Sequence, residues 1–141
     1  MKSKTKILII FILTPIILGD LVGLLTVPNS HIDSILPSWI FPVVWTILYT
    51  LMGISSARIY LKENYLPRIY LIQLIFNYLW VFIFFKFKLF TLAFIWILIL
   101  IILVSIMIKE FLSKDKLSGY LQIPYLIWLI IAAILNLTFI I

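Results

Sequence analysis

PSWIFPVVWTILYTLMG, Pro37 to Gly53, is a proline-punctuated turn running straight into an uncharged apolar segment. Pro42 suits a first helical turn, where the missing N–H leaves no bond unmade. Trp45, Tyr49, Met52 and Ser56 follow at spacings of 4, 3 and 4, so they share one helical face. Trp39 fits the aromatic belt of a membrane interface. Trp45 and Tyr49 lie one to two turns deeper, which suits a face turned into a bundle and toward a pocket.

The rest of the chain supplies the bundle. Its 141 residues are 65% hydrophobic and 11% charged, with mean hydropathy +1.28. A soluble domain of this size has too little interior to hide so much apolar surface. Lipid removes that requirement, and a crossing takes about 20 apolar residues. The expected fold is therefore an all-α integral membrane protein, a bundle of five transmembrane helices forming one domain over 1–141. The expected spans are 7–27, 39–60, 68–85, 89–108 and 120–141. No internal repeat suggests a duplicated transporter. The absence of cysteine excludes disulfides and thiolate metal sites.

Two later spans repeat the pattern of the second. Gln73, Asn77, Trp80 and Phe84 are spaced 4, 3 and 4 on one face of the third. Two amides inside a membrane need hydrogen-bond partners, either from neighbouring helices or from a ligand. Tyr125, Trp128, Ala132 and Asn136, spaced 3, 4 and 4, form a comparable face on the fifth. The fourth span is nearly all Ile and Leu and reads as lipid-exposed. The segment 109–119 reads as a charged connection with a helix-breaking glycine. In the first span Pro15 is a kink site, and Gly19 with Gly23 makes a GxxxG pair that permits close helix approach. Asp20 is the one acid in that span, near enough to its end to snorkel. His31, the only histidine, lies in the first loop with no second ligand beside it, so no metal site is expected.

The net charge of +6 is not arranged as a nucleic-acid stripe, and no nucleic-acid partner is expected. Instead the cations alternate between loops. Lys2, Lys4 and Lys6 precede the first span, Arg58, Lys62 and Arg68 follow the second, and Lys109, Lys114 and Lys116 follow the fourth. Only Lys86 and Lys88 occupy the opposite side. The positive-inside rule then puts the amino terminus in the cytoplasm of a bacterial cell membrane, with the basic loops near anionic headgroups.

The opening stretch resembles the signature P-x-W-x-F-x-x-V-W-T-x-L-Y-x-L-M-G of the TspO family, which includes tryptophan-rich sensory proteins, translocator proteins and peripheral benzodiazepine receptors. QLIFNYLWVFIFF, Gln73 to Phe85, is similar to the family block Q-L-x-x-N-x-x-W-x-x-x-F-F. IPYLIWLIIAAILN, Ile123 to Asn136, is similar to P-Y-L-x-W-x-x-x-A-x-x-L-N. Three blocks in the right order and spacing carry the resemblance. It implies five transmembrane helices, often as a homodimer, and a pocket between the helices for porphyrins and related hydrophobic ligands. No cofactor is required; the porphyrin is the ligand. The implied ligand-binding set is Trp39, Trp45, Tyr49, Gln73, Asn77, Trp80, Phe84, Tyr125, Trp128 and Ala132.

The chain departs from that pattern in its first loop. The family carries W-Y-x-x-L-x-K-P-x-W-x-P-P there, whereas this loop is shorter and Ser34 takes the tryptophan's place. Val81 replaces a common serine and Lys86 a common glycine. The family links the loop tryptophan to porphyrin chemistry, so binding without efficient light-driven breakdown is expected. Acid–base or nucleophilic catalysis lacks parts, with one loop histidine and no paired carboxylates in the spans. A porphyrin-degrading photo-oxidative enzyme and a small hydrophobic-compound transporter remain the alternatives to a receptor or translocator-like binding protein.

Overall fold

The computed structural model describes residues 2–26 and 39–141. The first loop, with His31 and Ser34, lies outside the described residues. Five helical spans are long and apolar enough to cross a membrane. They are α1 (Lys2–Thr26), α2 (Ile40–Glu63), α3 (Arg68–Val81) continued by a π turn (Phe82–Lys86), α4 (Phe90–Lys114), and a fifth built from α5 (Lys116–Tyr120) and α6 (Ile123–Thr138). No strand occurs among the described residues.

α1 packs on α2 and α3, and α4 packs on α3, α5 and α6. α5 closes against α2, so the spans run around the bundle in the order first, second, fifth, fourth, third. Leu13, Ile17, Leu21 and Leu24 of α1 are exposed, as are Ile95, Ile99, Ile102 and Ile106 of α4. A water-soluble protein would not present so much contiguous apolar surface, but hydrocarbon solvates it without cost.

The helix ends follow from local chemistry. α2 stops at Asn64, whose left-handed conformation (φ 60°) lets its N–H donate to the Tyr60 carbonyl at 2.8 Å. Asparagine tolerates that conformation better than most residues. Pro67 precedes α3, fitting the bias of proline toward helix starts. α1 continues through Pro15 without a break in helix.

Two expectations need correction. The segment 109–119 is not a loop: α4 runs on to Lys114, and Gly119 lies inside α5. Lys109, Glu110 and Lys114 are good helix formers that carry the helix beyond its apolar part. Gly119 does not adopt positive φ. Its missing Cβ instead leaves room for the Leu112 side chain. Nor is α4 merely lipid-facing. Ala93, Ile97, Leu100, Val104, Met107 and Phe111 form an inward face with no exposure. A helix apolar all round gives no periodic contrast from which to read that face.

Gly53 of α2 lies against the backbone of α1. A Cβ there would press on Ile12 Cα and come within 2.6 Å of the Phe11 carbonyl oxygen. Gly19 of α1 likewise makes room for the Tyr49 ring, whereas Gly23 has open space beside it. The GxxxG pair thus works through Gly19, within one chain.

Candidate functional site

Trp45 occupies the centre of an aromatic cluster drawn from α2, α3 and α6. It stacks on Tyr49 at 5.5 Å between ring centroids. Trp80, Tyr125 and Trp128 each lie 6.4 Å from it, the last edge-on at 89°. Phe84 stacks on Trp80 at 5.1 Å. Phe41 meets Trp128 at 6.0 Å and Phe85 at 6.4 Å. Offset and edge-on contacts of this kind are the favoured ring arrangements. The backbones of these three helices make no extensive close approach to one another. Large rings fill the space between them.

Below this cage lies a chain of hydrogen bonds. Tyr49 Oη donates to Asn77 Oδ1 at 2.7 Å. Asn77 Nδ2 donates to Tyr125 Oη at 2.8 Å, and Tyr125 Oη donates to Gln73 Oε1 at 2.8 Å. Gln73 Nε2 ends the chain on the Tyr70 carbonyl at 3.0 Å. Each member points its donor the same way, so the bonds polarise one another in surroundings of low dielectric. Gln73 and Asn77 are completely buried. Both ends of each amide are bonded within the protein, which satisfies the two polar groups without a ligand. A second bridge ties α3, α6 and α4: Trp80 Nε1 donates to Asn136 Oδ1 at 3.2 Å, and Asn136 Nδ2 donates to the Phe90 carbonyl at 2.9 Å.

Trp128 is different. It is 8% exposed, and its Nε1 is buried with no hydrogen-bond partner. An indole N–H can only donate, and burying it unpaired is unfavourable. The Trp128 ring itself meets those of Phe41 and Trp45 edge-on. Ala132, one turn further along α6, is buried and small. Trp39 stands apart, 64% exposed at the start of α2.

The family model described as TspO/MBR family matches residues 11–141. The chain belongs to the TspO/MBR family. It is similar to Protein CrtK of Rhodobacter capsulatus, 34% identical over an alignment 128 residues long that covers 81% of this chain and 79% of that protein. A tryptophan-rich sensory protein of Cereibacter sphaeroides is 35% identical over 102 residues, 71% of this chain and 65% of its own. The tryptophan-rich protein TspO of Chlorobaculum tepidum is 32% identical over 108 residues, 72% of this chain and 68% of its own.

In this TspO-family chain the structure brings together Trp45, Tyr49, Gln73, Asn77, Trp80, Phe84, Tyr125 and Trp128. Spacing arguments missed Phe41 and Phe85. Phe41 precedes Trp45 by one turn, so extending the face backward would have found it. Phe85 needed the π turn. That turn widens the helix, and Phe84 and Phe85 both reach the Trp80 ring.

The opposite end of the bundle carries the charges. Arg58 Nε donates to Asp115 Oδ2 at 2.8 Å, and Ser118 Oγ donates to the same oxygen at 2.5 Å. The Arg58 bond first, and the Ser118 bond second, hold the Asp115 carboxyl below the usual carboxylate range. Ser55 Oγ donates to the Ser118 carbonyl at 2.7 Å, so α2 grips α5 beside the ion pair. Asp20 of α1 is exposed.

Proposed function

We propose that this integral membrane protein binds a porphyrin, or a related flat hydrophobic molecule, among the rings of Trp45, Trp80, Phe84 and Trp128. Its role would be sensing or translocation in tetrapyrrole handling. The reading rests above all on the unpartnered Trp128 N–H within an aromatic cage. A tetrapyrrole offers a wide apolar face for stacking and carboxylate or carbonyl oxygens to accept that donor. The names of two relatives, both tryptophan-rich and one also sensory, are in keeping with a receptor. The proposed topology places the amino terminus in the cytoplasm, with the cage toward the outer leaflet and a homodimer as the working oligomer.

Titration of purified protein with protoporphyrin, followed by tryptophan quenching, tests this. Trp128→Phe keeps a ring and removes the orphaned donor. It is expected to weaken binding by about 1 kcal/mol or more without lowering thermal stability. Trp128→Ala also opens a hole and should cost roughly 2 kcal/mol or above in affinity. Unchanged affinity in both variants would place the ligand elsewhere.

A further inference from the structure

Gln122 lies at the break between α5 and α6. It is completely buried, and both amide atoms, Nε2 and Oε1, lack a hydrogen-bond partner. Its backbone is fully engaged: the N–H donates to the Gly119 carbonyl at 3.1 Å, and its carbonyl accepts from Leu126 at 3.2 Å. Ser118 lies four residues before it and Tyr125 three after, so all three share a helical face. That face is buried throughout. It connects the Arg58–Asp115 end of the bundle to the tyrosine–amide chain.

We infer that the α5–α6 break encloses a hydration site in which the Gln122 side chain holds a water molecule. The orphaned amide offers donors and an acceptor together. A cation would satisfy only the oxygen, and an anion only the nitrogen. No Asp, Glu, Lys or Arg is fully buried among the described residues to balance an ion. An apolar molecule would satisfy neither atom. Water satisfies both, and buried waters characteristically bind otherwise unpaired polar groups. The site is distinct from the aromatic cage. Gln122 precedes α6, along which Tyr125 comes before Trp128, so the tyrosine–amide chain lies between the two.

The chain has two glutamines, Gln73 and Gln122, and this makes a direct test practicable. Full-length protein in nanodiscs, labelled with ¹⁵N in glutamine side chains, gives two amide signals. Gln122→Met or Gln73→Met assigns them. Magnetisation transfer from water is expected at Gln122 and absent at Gln73, whose amide is bonded to protein. A Gln122 amide as isolated from water as that of Gln73 would overturn the inference. Melting temperature gives a second reading. If the amide holds water, Gln122→Met strands that water and the melting temperature falls. A rise would mean that a dry, unpaired amide had been relieved, and the hydration site would be wrong.

Discussion

Asn77 joins three helices with one side chain, because its oxygen accepts from Tyr49 of α2 while its nitrogen donates to Tyr125 of α6. Asn77→Leu keeps the volume and breaks both bonds, leaving the Tyr49 hydroxyl stranded. The expected loss is roughly 1–3 kcal/mol, measured as thermal stability in detergent. Ligand affinity should fall less than it does for Trp128→Ala. The reverse ranking would mean that Asn77 contacts the ligand directly. Ile99→Ala, at a position 40% exposed toward lipid, is the control and should move neither reading. The sequence spacing placed Gln73, Asn77, Trp80 and Phe84 on one face, since a 3.6-residue period is intrinsic to the chain. It left open whether the amides meet helices or ligand. That choice depends on which spans are neighbours, and no periodicity within one span encodes it. The orphaned N–H of Trp128 was invisible for the same reason.

Glycine shows how the elements were set at their distances. Gly53→Ala would drive a methyl group into α1 backbone at Phe11 and Ile12, which cannot rotate away. Overpacking of this kind costs about 1–3 kcal/mol, and α1 should detach first because it packs only along the α2 and α3 edge. Gly23→Ala meets nothing within 4 Å. It should be neutral or stabilising by up to about 1 kcal/mol through helix propensity. Melting curves of the two variants should therefore shift in opposite directions or differ clearly in size; equal destabilisation would contradict the packing described. The sequence marked Gly19 and Gly23 as a pair, yet only Gly19 is pressed by a neighbour. Gly53, pressed against the α1 backbone, closes the opening signature stretch but belongs to no GxxxG pair. Element boundaries were least legible where charge and helix propensity disagree, as at Lys109 to Lys114.

The whole molecule is polarised from end to end. Hydropathy alone made the five crossings legible, because their apolar lengths are fixed by bilayer thickness. The basic residues of α1, α2, α4 and α5 gather at one end, where Arg58 pairs with Asp115 and Lys114 sits 5.1 Å over the Tyr65 ring. The ion pair has a pH signature. Asp115 has a depressed folded value, so its contribution is present above the ordinary carboxylate range, near pH 4. It is lost as pH falls through the depressed value. Arg58 is substantially exposed, which limits the contribution to about 1 kcal/mol. Asp115→Asn should accordingly flatten the acid limb of a stability–pH curve and leave any alkaline limb unchanged. The same asymmetry of charge predicts orientation. Cations resist transfer across an energised membrane, and the end with Lys114 carries most of them. The absence of cysteine makes a single-site test clean. Lys114→Cys should react with an impermeant maleimide only after cells are opened. Lys88→Cys, in the turn at the other end, should react in intact cells. Removing one lysine from either end leaves the bias intact, so neither substitution should itself invert the protein. Labelling of position 114 from outside, with protection at position 88, would reverse the topology and place the aromatic cage toward the cytoplasm.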